Sequence, residues 1–590
     1  MPASALSRYF HLLGRYLRPL RRRFILLAIC LFSGNILQVL IPQITRSAID
    51  LATSPESAVV DPTGSQLTSL ALAFIGLAVI QQLLSLAATY FGERVAWSAT
   101  NALREDLLHH VLHLDMGFFQ EMSPGKLIER VDGDISALTE FFSQFFIRII
   151  GSMLLATVIL VAIFLEDTRA GLAYLIFAAA ALAILYRMRG IGVEPAKQLR
   201  EVYAQLSGFN EERLAAVEDL RANGATRHVF DRLAALHQEM RRRWSRSVLF
   251  NSLFQSTSGL ILTTGFAVAF ISGALLHERG ALTLGGVYLL MNYIILLNKP
   301  LTDLSYQVER LQTIGASVER VIDLLERRSA LTRLEDGQAQ PLPRGALAVT
   351  FDQVVFGYQA DQPVLHGISF HLPAGETLGV VGRTGSGKST LARLLFRLYD
   401  PAHGQVTLGG VPLPAADLDA LRRRVTMVTQ DVQLFEGTVR ENLTFFDTTI
   451  QDEQIVQALH SLELELWLRE LPAGLDTRIG SGSQGLSAGQ AQLLAFARAM
   501  LRQPDVVILD EASSRLDPIT EARIERAVER LLHGRTGLLI AHRLVTLERV
   551  DHILVMENGR VVEFGRRAAL AADPQSGFAQ MLRLGENVLT

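Results

Sequence analysis

One cysteine, Cys30, serves the whole 590-residue chain. An intrachain disulfide is thereby excluded, and its place inside an apolar run suits a small space-filler. A surplus of basic residues is lacking too. Lys and Arg number 56 against 59 Asp and Glu, a net charge of −3, and the isoelectric point is near 6.6. A nucleic-acid partner, which favours a basic face, finds no support there. The opening stretch MPASALSRYFHLLGRYLRPLRRR has no apolar core before a small-residue cleavage site, so it does not read as a cleavable signal peptide. Residues 1–23 read instead as a basic amphipathic segment lying on the inner membrane surface.

Six long stretches before residue 316 lack charge almost entirely. They run over 24–45, 62–92, 149–165, 171–186, 247–276 and 281–298. A helix needs roughly 20 apolar residues to cross the hydrocarbon layer, so six spans are expected, the third and fourth borrowing flanking residues. The chain is 49% hydrophobic, with a mean hydropathy of +0.26, and buried helices of a large soluble core do not account for six such runs. Six Arg precede the first span, and the loops at 93–141 and 187–246 hold four and twelve Lys or Arg. The other three loops hold one each: Arg46, Arg169 and Arg279. By the positive-inside rule the N-terminus and both long loops are cytoplasmic, in a multi-pass protein of the cell (inner) membrane.

Both long loops carry helical periodicity, as in SGFNEERLAAVEDLRANGATRHVFDRLAALHQEMRRRW, and extend the spans far into the cytoplasm. Within the spans, the residues able to line a cavity are uncharged: Asn35, Gln38, Gln81, Gln82, Gln255 and Asn292, with Phe266 and Tyr288. Interhelical hydrogen bonding accounts for the polar ones equally well. Arg148 and Lys299 fall near span ends, where long cationic side chains snorkel. A cavity without buried charge suits an apolar or amphipathic cargo.

The character changes after the spans. The six-span domain covers 24–331, and TRLEDGQAQPLPRG (332–345) is a polar, aperiodic linker. From 346 to 590, strand-like runs (LAVTFDQVVFGY, ETLGVVG, RVTMVTQ, DVVILD, TGLLIAH, HILVMENGRVVEFG) alternate with helical patterns. That alternation predicts an α/β domain with a largely parallel sheet.

GRTGSGKST at 382–390 stands between a strand and a helix, the setting in which G-x-x-x-x-G-K-[ST] grips phosphates. Its candidate contacts are Gly382, Arg383, Thr384, Gly385, Ser386, Gly387, Lys388, Ser389 and Thr390. Glycines let backbone N–H groups wrap the phosphates at a helix N-terminus. Lys388 is expected on the β- and γ-phosphates of ATP and Ser389 on Mg²⁺. VVILDE (506–511) is an apolar strand ending in two carboxylates, Asp510 to hold Mg²⁺ and Glu511 to polarise a water. LSAGQ (486–490) places Ser487 just before an apolar helical run, an N-terminus able to hold a second anion.

VFGY, the phosphate loop, Gln430 in VTQDVQLFEGT, LSAGQ, ILDEASSRLD and His542 in LIAHR occur in one order. That order resembles the nucleotide-binding domain of ATP-binding-cassette proteins, and six preceding spans resemble a half-size ABC exporter of the type IV fold: a six-helix membrane domain followed by an α/β P-loop ATPase. GFFQEMSPGKLIERVDGDI (117–135) and LNKPLTDL (297–304) are similar to patterns of the family's membrane half. The resemblance implies ATP-driven export by alternating access, with a gated channel or an importer as the other uses of the architecture. It implies that Tyr358 stacks on adenine, that Gln430 meets Mg²⁺ or the water, that His542 touches the γ-phosphate and that Asp517 belongs to the loop crossing to the partner. Ser487 with the N–H groups of Gly489 and Gln490 would grip the ATP held by the partner's cassette. The cytoplasmic loops near Phe118–Lys126 and Leu214–Asn223 would dock on cassette surfaces. Where the family commonly has Gly, a basic residue and a small residue, this chain has Ala488, Ala491 and Arg515, which points to one half of an asymmetric heterodimer.

Overall fold

The computed structural model describes residues 14–53, 63–331, 339–359, 361–480, 486–510, 518–541 and 544–586. The chain divides into two compact units. One runs through Leu112 and resumes over Pro124–Arg327, and the other combines His113–Ser123 with the chain from Arg328 onward.

In the first unit six helices are long and apolar enough to cross a membrane: Gly14–Thr53, Gly64–Leu112, Phe145–Glu166, Thr168–Ala215, Thr226–Glu278 and Leu284–Ser305. The third and fourth do gain length from their flanks, the fourth by running on far beyond its apolar part. Large apolar side chains such as Leu72, Leu86, Ile176, Leu260 and Phe270 are exposed along them, as side chains facing lipid must be. The third and fourth helices are divided by one extended residue, Asp167, whose side chain caps the fourth by accepting from the N–H groups of Arg169 and Ala170. Inside the bundle Tyr174 is fully buried and donates to the Leu290 carbonyl at 2.8 Å, joining the fourth and sixth spans.

A polar network joins the ends of the first, third and sixth spans. Arg46 binds Glu166, and Gln43 donates to Glu166 and to the Tyr293 hydroxyl. Asp50 accepts from the Thr283 hydroxyl and the Gly285 N–H, both at 2.9 Å. At the other end, Asp134 of the VDGD motif is buried and paired with Arg320 of the helix that continues the last span.

The second unit contains two main sheets. Six strands lie in the order β12-β11-β3-β10-β9-β6, namely Arg560–Arg566, His552–Glu557, Thr377–Gly382, Thr536–Ile540, Val506–Asp510 and Val425–Val428. All neighbours are parallel except β12, which joins β11 as a hairpin. Its turn is Asn558-Gly559, both with positive φ (46° and 73°), as a two-residue turn matching the strand twist requires. The first strand-like run does not enter this sheet. It forms β1 (Val349–Phe356) in an antiparallel sheet with β2 (Leu365–Leu372), β4 (His403–Leu408) and β5 (Val411–Pro412), in the order β2-β1-β4-β5. The pieces Gly437–Thr438 (β7) and Arg478–Ile479 (β8) pair separately. Alternate residues of the parallel strands bury to opposite sides: Val380, Ile508 and Leu538 face a core shared with the antiparallel sheet, while Val381, Leu509 and Leu539 face the helices that include Ala488–Leu501.

The short helix Met116–Glu121 belongs with this second unit. Asp115 caps it, accepting from the Phe118 N–H at 3.2 Å, and its other oxygen accepts from the Ala330 N–H at 2.7 Å. Burial opposes the charge on Asp115, but these backbone donors outweigh it and hold the carboxyl below its usual value.

Candidate functional site

Register decides which residues meet. Ile540 of β10 lies opposite Val380 of β3 on one side and Asp510 of β9 on the other, and Val428 of β6 lies opposite Leu509. The carboxyl ends of four parallel strands thus fall on one edge, with adjacent backbones roughly 5 Å apart. Along that edge stand the phosphate loop after β3, Asp510 at the tip of β9 and Gln430 just beyond β6. Open α/β sheets bind their ligands at such an edge. Glu511, Asp517 and His542, together with Arg515, lie outside the described residues.

The loop itself is shaped for an anion. Gly385 and Gly387 sit at φ of 85° and 97°, turning the chain tightly before the helix Lys388–Leu395. Lys388 is 5% exposed, and its Nζ donates to the carbonyls of Gly382 and Arg383 at 2.8 and 3.0 Å. Ser386 is 3% exposed and its Oγ has no hydrogen-bond partner. A buried hydroxyl without a partner costs stability unless a ligand supplies one, and a Cβ built on Gly385 would meet nothing within 4 Å. An orphaned donor, a buried ammonium and open space before a helix N-terminus fit a polyphosphate. Arg383, Thr384 and Gly385 are exposed on the loop, Gly382 and Ser389 half-buried, and Thr390 buried.

Tyr358 stands beside this helix. Its hydroxyl is 3.2 Å from the Thr390 hydroxyl and accepts from Arg393 Nη1 at 2.8 Å. Its ring meets Phe356 and Tyr399 edge-on, at 5.1 and 5.3 Å. The Tyr399 hydroxyl is pushed up by burial, reinforced by Tyr358 and by the negative charge of Asp115. Arg393 carries no motif and was not among the expected site residues.

Ser487 is the N-cap of Ala488–Leu501, and the arrangement is a reciprocal box: Gln490 N–H donates to Ser487 Oγ at 3.2 Å and Ser487 N–H donates to Gln490 Oε1 at 2.9 Å. One expectation changes here. The Gln490 N–H is engaged within its own helix, leaving the N–H groups of Ala488 and Gly489 as the donors at this end. The same helix buries Arg498, a residue the motifs did not single out. It donates to the carbonyls of Asn442 and Gln433 at 2.6 and 2.8 Å and to Asn442 Oδ1 at 3.0 Å, with the Phe445 ring 4.6 Å from its Cζ. Burial pushes its guanidinium down to about 10, still charged at neutral pH. A charged residue in the apolar run LLAFARAML was the available signal.

The membrane unit corrects a second expectation. A cavity of about 320 Å³ is walled by the first, second, third and sixth helices, and Arg148, Lys299 and Asp303 line it along with Asn35, Gln38 and Gln81. The cavity is charged. Gln82, Gln255, Asn292, Phe266 and Tyr288 are not in its wall. A linear sequence locates a charge along a span but not the face on which it stands.

The chain was compared with known proteins. Residues 24–301 match the family model described as ABC transporter transmembrane region, and 365–514 match that described as ABC transporter. An ATP-dependent lipid A-core flippase of Chromobacterium violaceum is 31% identical, over 85% of this chain and 85% of its own. A fatty acid ABC transporter ATP-binding/permease protein of Mycobacterium bovis is 31% identical, over 80% of this chain and 74% of its own. The solved structure of a bacterial Atm1-family ABC exporter with ATP bound superposes with a TM-score of 0.80 at 25% identity, covering 96% of this chain and 98% of that one.

Proposed function

This chain belongs to the ABC transporter family as a half-size exporter, with membrane region and ATPase cassette fused in one polypeptide, and from that premise we propose how it works. It is an ATP hydrolase coupled to export across a membrane. The observation that carries the reading is the shared strand edge that brings the phosphate loop, Asp510 and Gln430 together in a chain with six spans.

In our reading the N–H groups of 382–390 and the Lys388 ammonium hold the triphosphate, and Ser386 Oγ gains its missing partner there. Tyr358, steadied by Arg393, offers its ring to adenine. Ser389, Gln430 and Asp510 would hold Mg²⁺, which when bound neutralises phosphate charge. Glu511 orients and polarises the attacking water, and His542 fixes the γ-phosphate. Asp517 lies in the loop that meets the partner. Ser487 and Gly489 face an ATP on the partner, so one chain supplies half of each site and works only as a dimer.

Orientation follows loop charge: the cassette and both long loops are cytoplasmic, in the cell membrane. The loop around 214–223 presents Leu214 at 73% and Val217 at 40% exposure in the single chain. Apolar side chains at a cytoplasmic loop tip fit docking on a partner's cassette. ATP favours the closed pair, and hydrolysis removes the preference, so the spans alternate between two openings. The lipid A-core and fatty acid relatives support an amphipathic, lipid-like cargo.

The partner is best read as a second, different half-transporter. Ala488 is the exposed first residue of its helix, and its methyl group narrows the approach of a phosphate where glycine would leave room. Vigorous ATPase activity from this chain purified alone, with two equivalent sites, would refute the heterodimer. For the cassette the test is Mg-ATPase activity in lipid vesicles. Glu511→Gln should retain ATP binding and lose turnover, and undiminished turnover would remove the role given to Glu511.

A further inference from the structure

The charged cavity in the membrane unit calls for an explanation that snorkelling does not give. At a rise of 1.5 Å per residue, Lys299 lies roughly 22 Å along its helix from Leu284, and Arg148 roughly 27 Å from Glu166. The two cations therefore stand at similar depth, toward the cytoplasmic side, and they share one cavity wall. Among the described residues neither makes an ion pair or hydrogen bond, whereas Asn35 is fixed to the Gly151 carbonyl at 2.9 Å and Asp303 accepts from Ser152 at 3.5 Å. Two unpaired cations within a membrane helix bundle are costly, and like charges on one cavity repel. An anion between them relieves both terms. The third charge in the wall is Asp303, one helical turn beyond Lys299, which leaves the wall with a net charge of +1 when all three are ionised.

We propose that this cavity seats the head group of a singly charged amphipathic anion, a carboxylate or a phosphodiester: Arg148 and Lys299 bind the charge, Gln38 and Gln81 add neutral donors, and Asp303 selects against dianions. This rests on the exporter reading and gives its cargo a chemical class. Doubly charged phosphomonoesters are disfavoured because Asp303 repels the second charge, and neutral lipids because they leave both cations desolvated and unpaired.

The experiment is equilibrium binding to the full-length protein in phosphatidylcholine nanodiscs, without ATP. The probes are oleate, oleoyl-lysophosphatidylglycerol, oleoyl-lysophosphatidic acid and monoolein. One or both monoanions should bind at least tenfold more tightly than monoolein, and which of them leads tells carboxylate from phosphodiester. Arg148→Gln and Lys299→Gln should each weaken monoanion binding about tenfold, the size of one charge-assisted hydrogen bond, and leave monoolein unchanged. The swaps Arg148→Lys and Lys299→Arg should retain binding within a few-fold, which separates lost charge from lost folding. Asp303→Asn should narrow the gap between lysophosphatidic acid and the monoanions. Monoolein binding as tightly as the anions, or the double glutamine variant binding anions like the parent, overturns the proposal. ATP-driven movement of radiolabelled oleate in vesicles is a separate readout: binding selectivity without movement keeps the seat and removes the exporter reading, and movement undiminished in the double variant does the reverse.

Discussion

Arg46 on the first span donates from one nitrogen, Nη1, to both oxygens of Glu166 at the end of the third, each at 2.6 Å. The guanidinium is 24% exposed and the carboxylate 17%, so removing one partner leaves a poorly solvated charge. Arg46→Met or Glu166→Gln should each destabilise the protein by about 1–3 kcal/mol. The double substitution should cost less than the sum of the two. Thermal unfolding of the detergent-purified protein measures this cycle, and strict additivity would deny the coupling.

Tyr358 separates packing from polarity. Tyr358→Ala removes the face offered to adenine and should weaken ATP binding about tenfold. Tyr358→Phe loses only the contacts of its hydroxyl to Thr390 and Arg393, and should stay within about threefold of the parent. Fluorescent-nucleotide titration distinguishes them. Equal losses would place the contribution in the hydroxyl.

Within the phosphate loop two glycines should behave differently. A Cβ at Gly382 would fall 2.2 Å from the Met556 carbonyl oxygen, a backbone atom. Gly385 has open space at that point. Gly382→Ala should therefore cost about 2 kcal/mol or more in stability. Gly385→Ala should cost roughly 1 kcal/mol of backbone strain while weakening ATP binding. Melting with and without nucleotide reads both.

Arg498 is held by three acceptors, a fork that lysine cannot reproduce. Both Arg498→Met and Arg498→Lys should destabilise the cassette by about 2–4 kcal/mol, since each orphans buried carbonyls. Full stability in the lysine variant would mean that charge alone suffices there.

Asp115 gives a pH signature. Its carboxyl is held below the ordinary value, so its contribution is present above that value, near 3.8, and is lost as pH falls through the lowered one. Asp115→Ala should cost about 1 kcal/mol at pH 7, and the gap between parent and variant should close only below about pH 4. A gap that closed near pH 6 would assign the effect to another group.

The sequence made some of this legible and hid the rest for physical reasons. Length and lack of charge reveal a span because the bilayer sets both. The phosphate loop and the Asn558-Gly559 turn were readable because few residues tolerate their backbone conformations. Arg148 and Lys299 were visible as charges, yet their common cavity depends on how four helices rotate against one another. Strand β2, LHGISFHL, escaped because a mixed strand in an antiparallel sheet lacks the apolar run that marks β9 or β10. The pairing of Gln490 with Ser487 was missed although S-x-x-Q is a capping-box pattern.

Residues 113–123 are folded with the cassette although nearly two hundred residues of membrane unit follow them before the chain returns. This constrains inheritance. A recombination event between two half-transporter genes with its crossover near residue 330 would join one parent's ATPase to the other parent's Asp115 and Phe118. The cap on Met116–Glu121 and the tie to the Ala330 N–H would then have to be remade between strangers. Exchangeable cassettes of this architecture must travel in two pieces of gene, or tolerate each other's short helix.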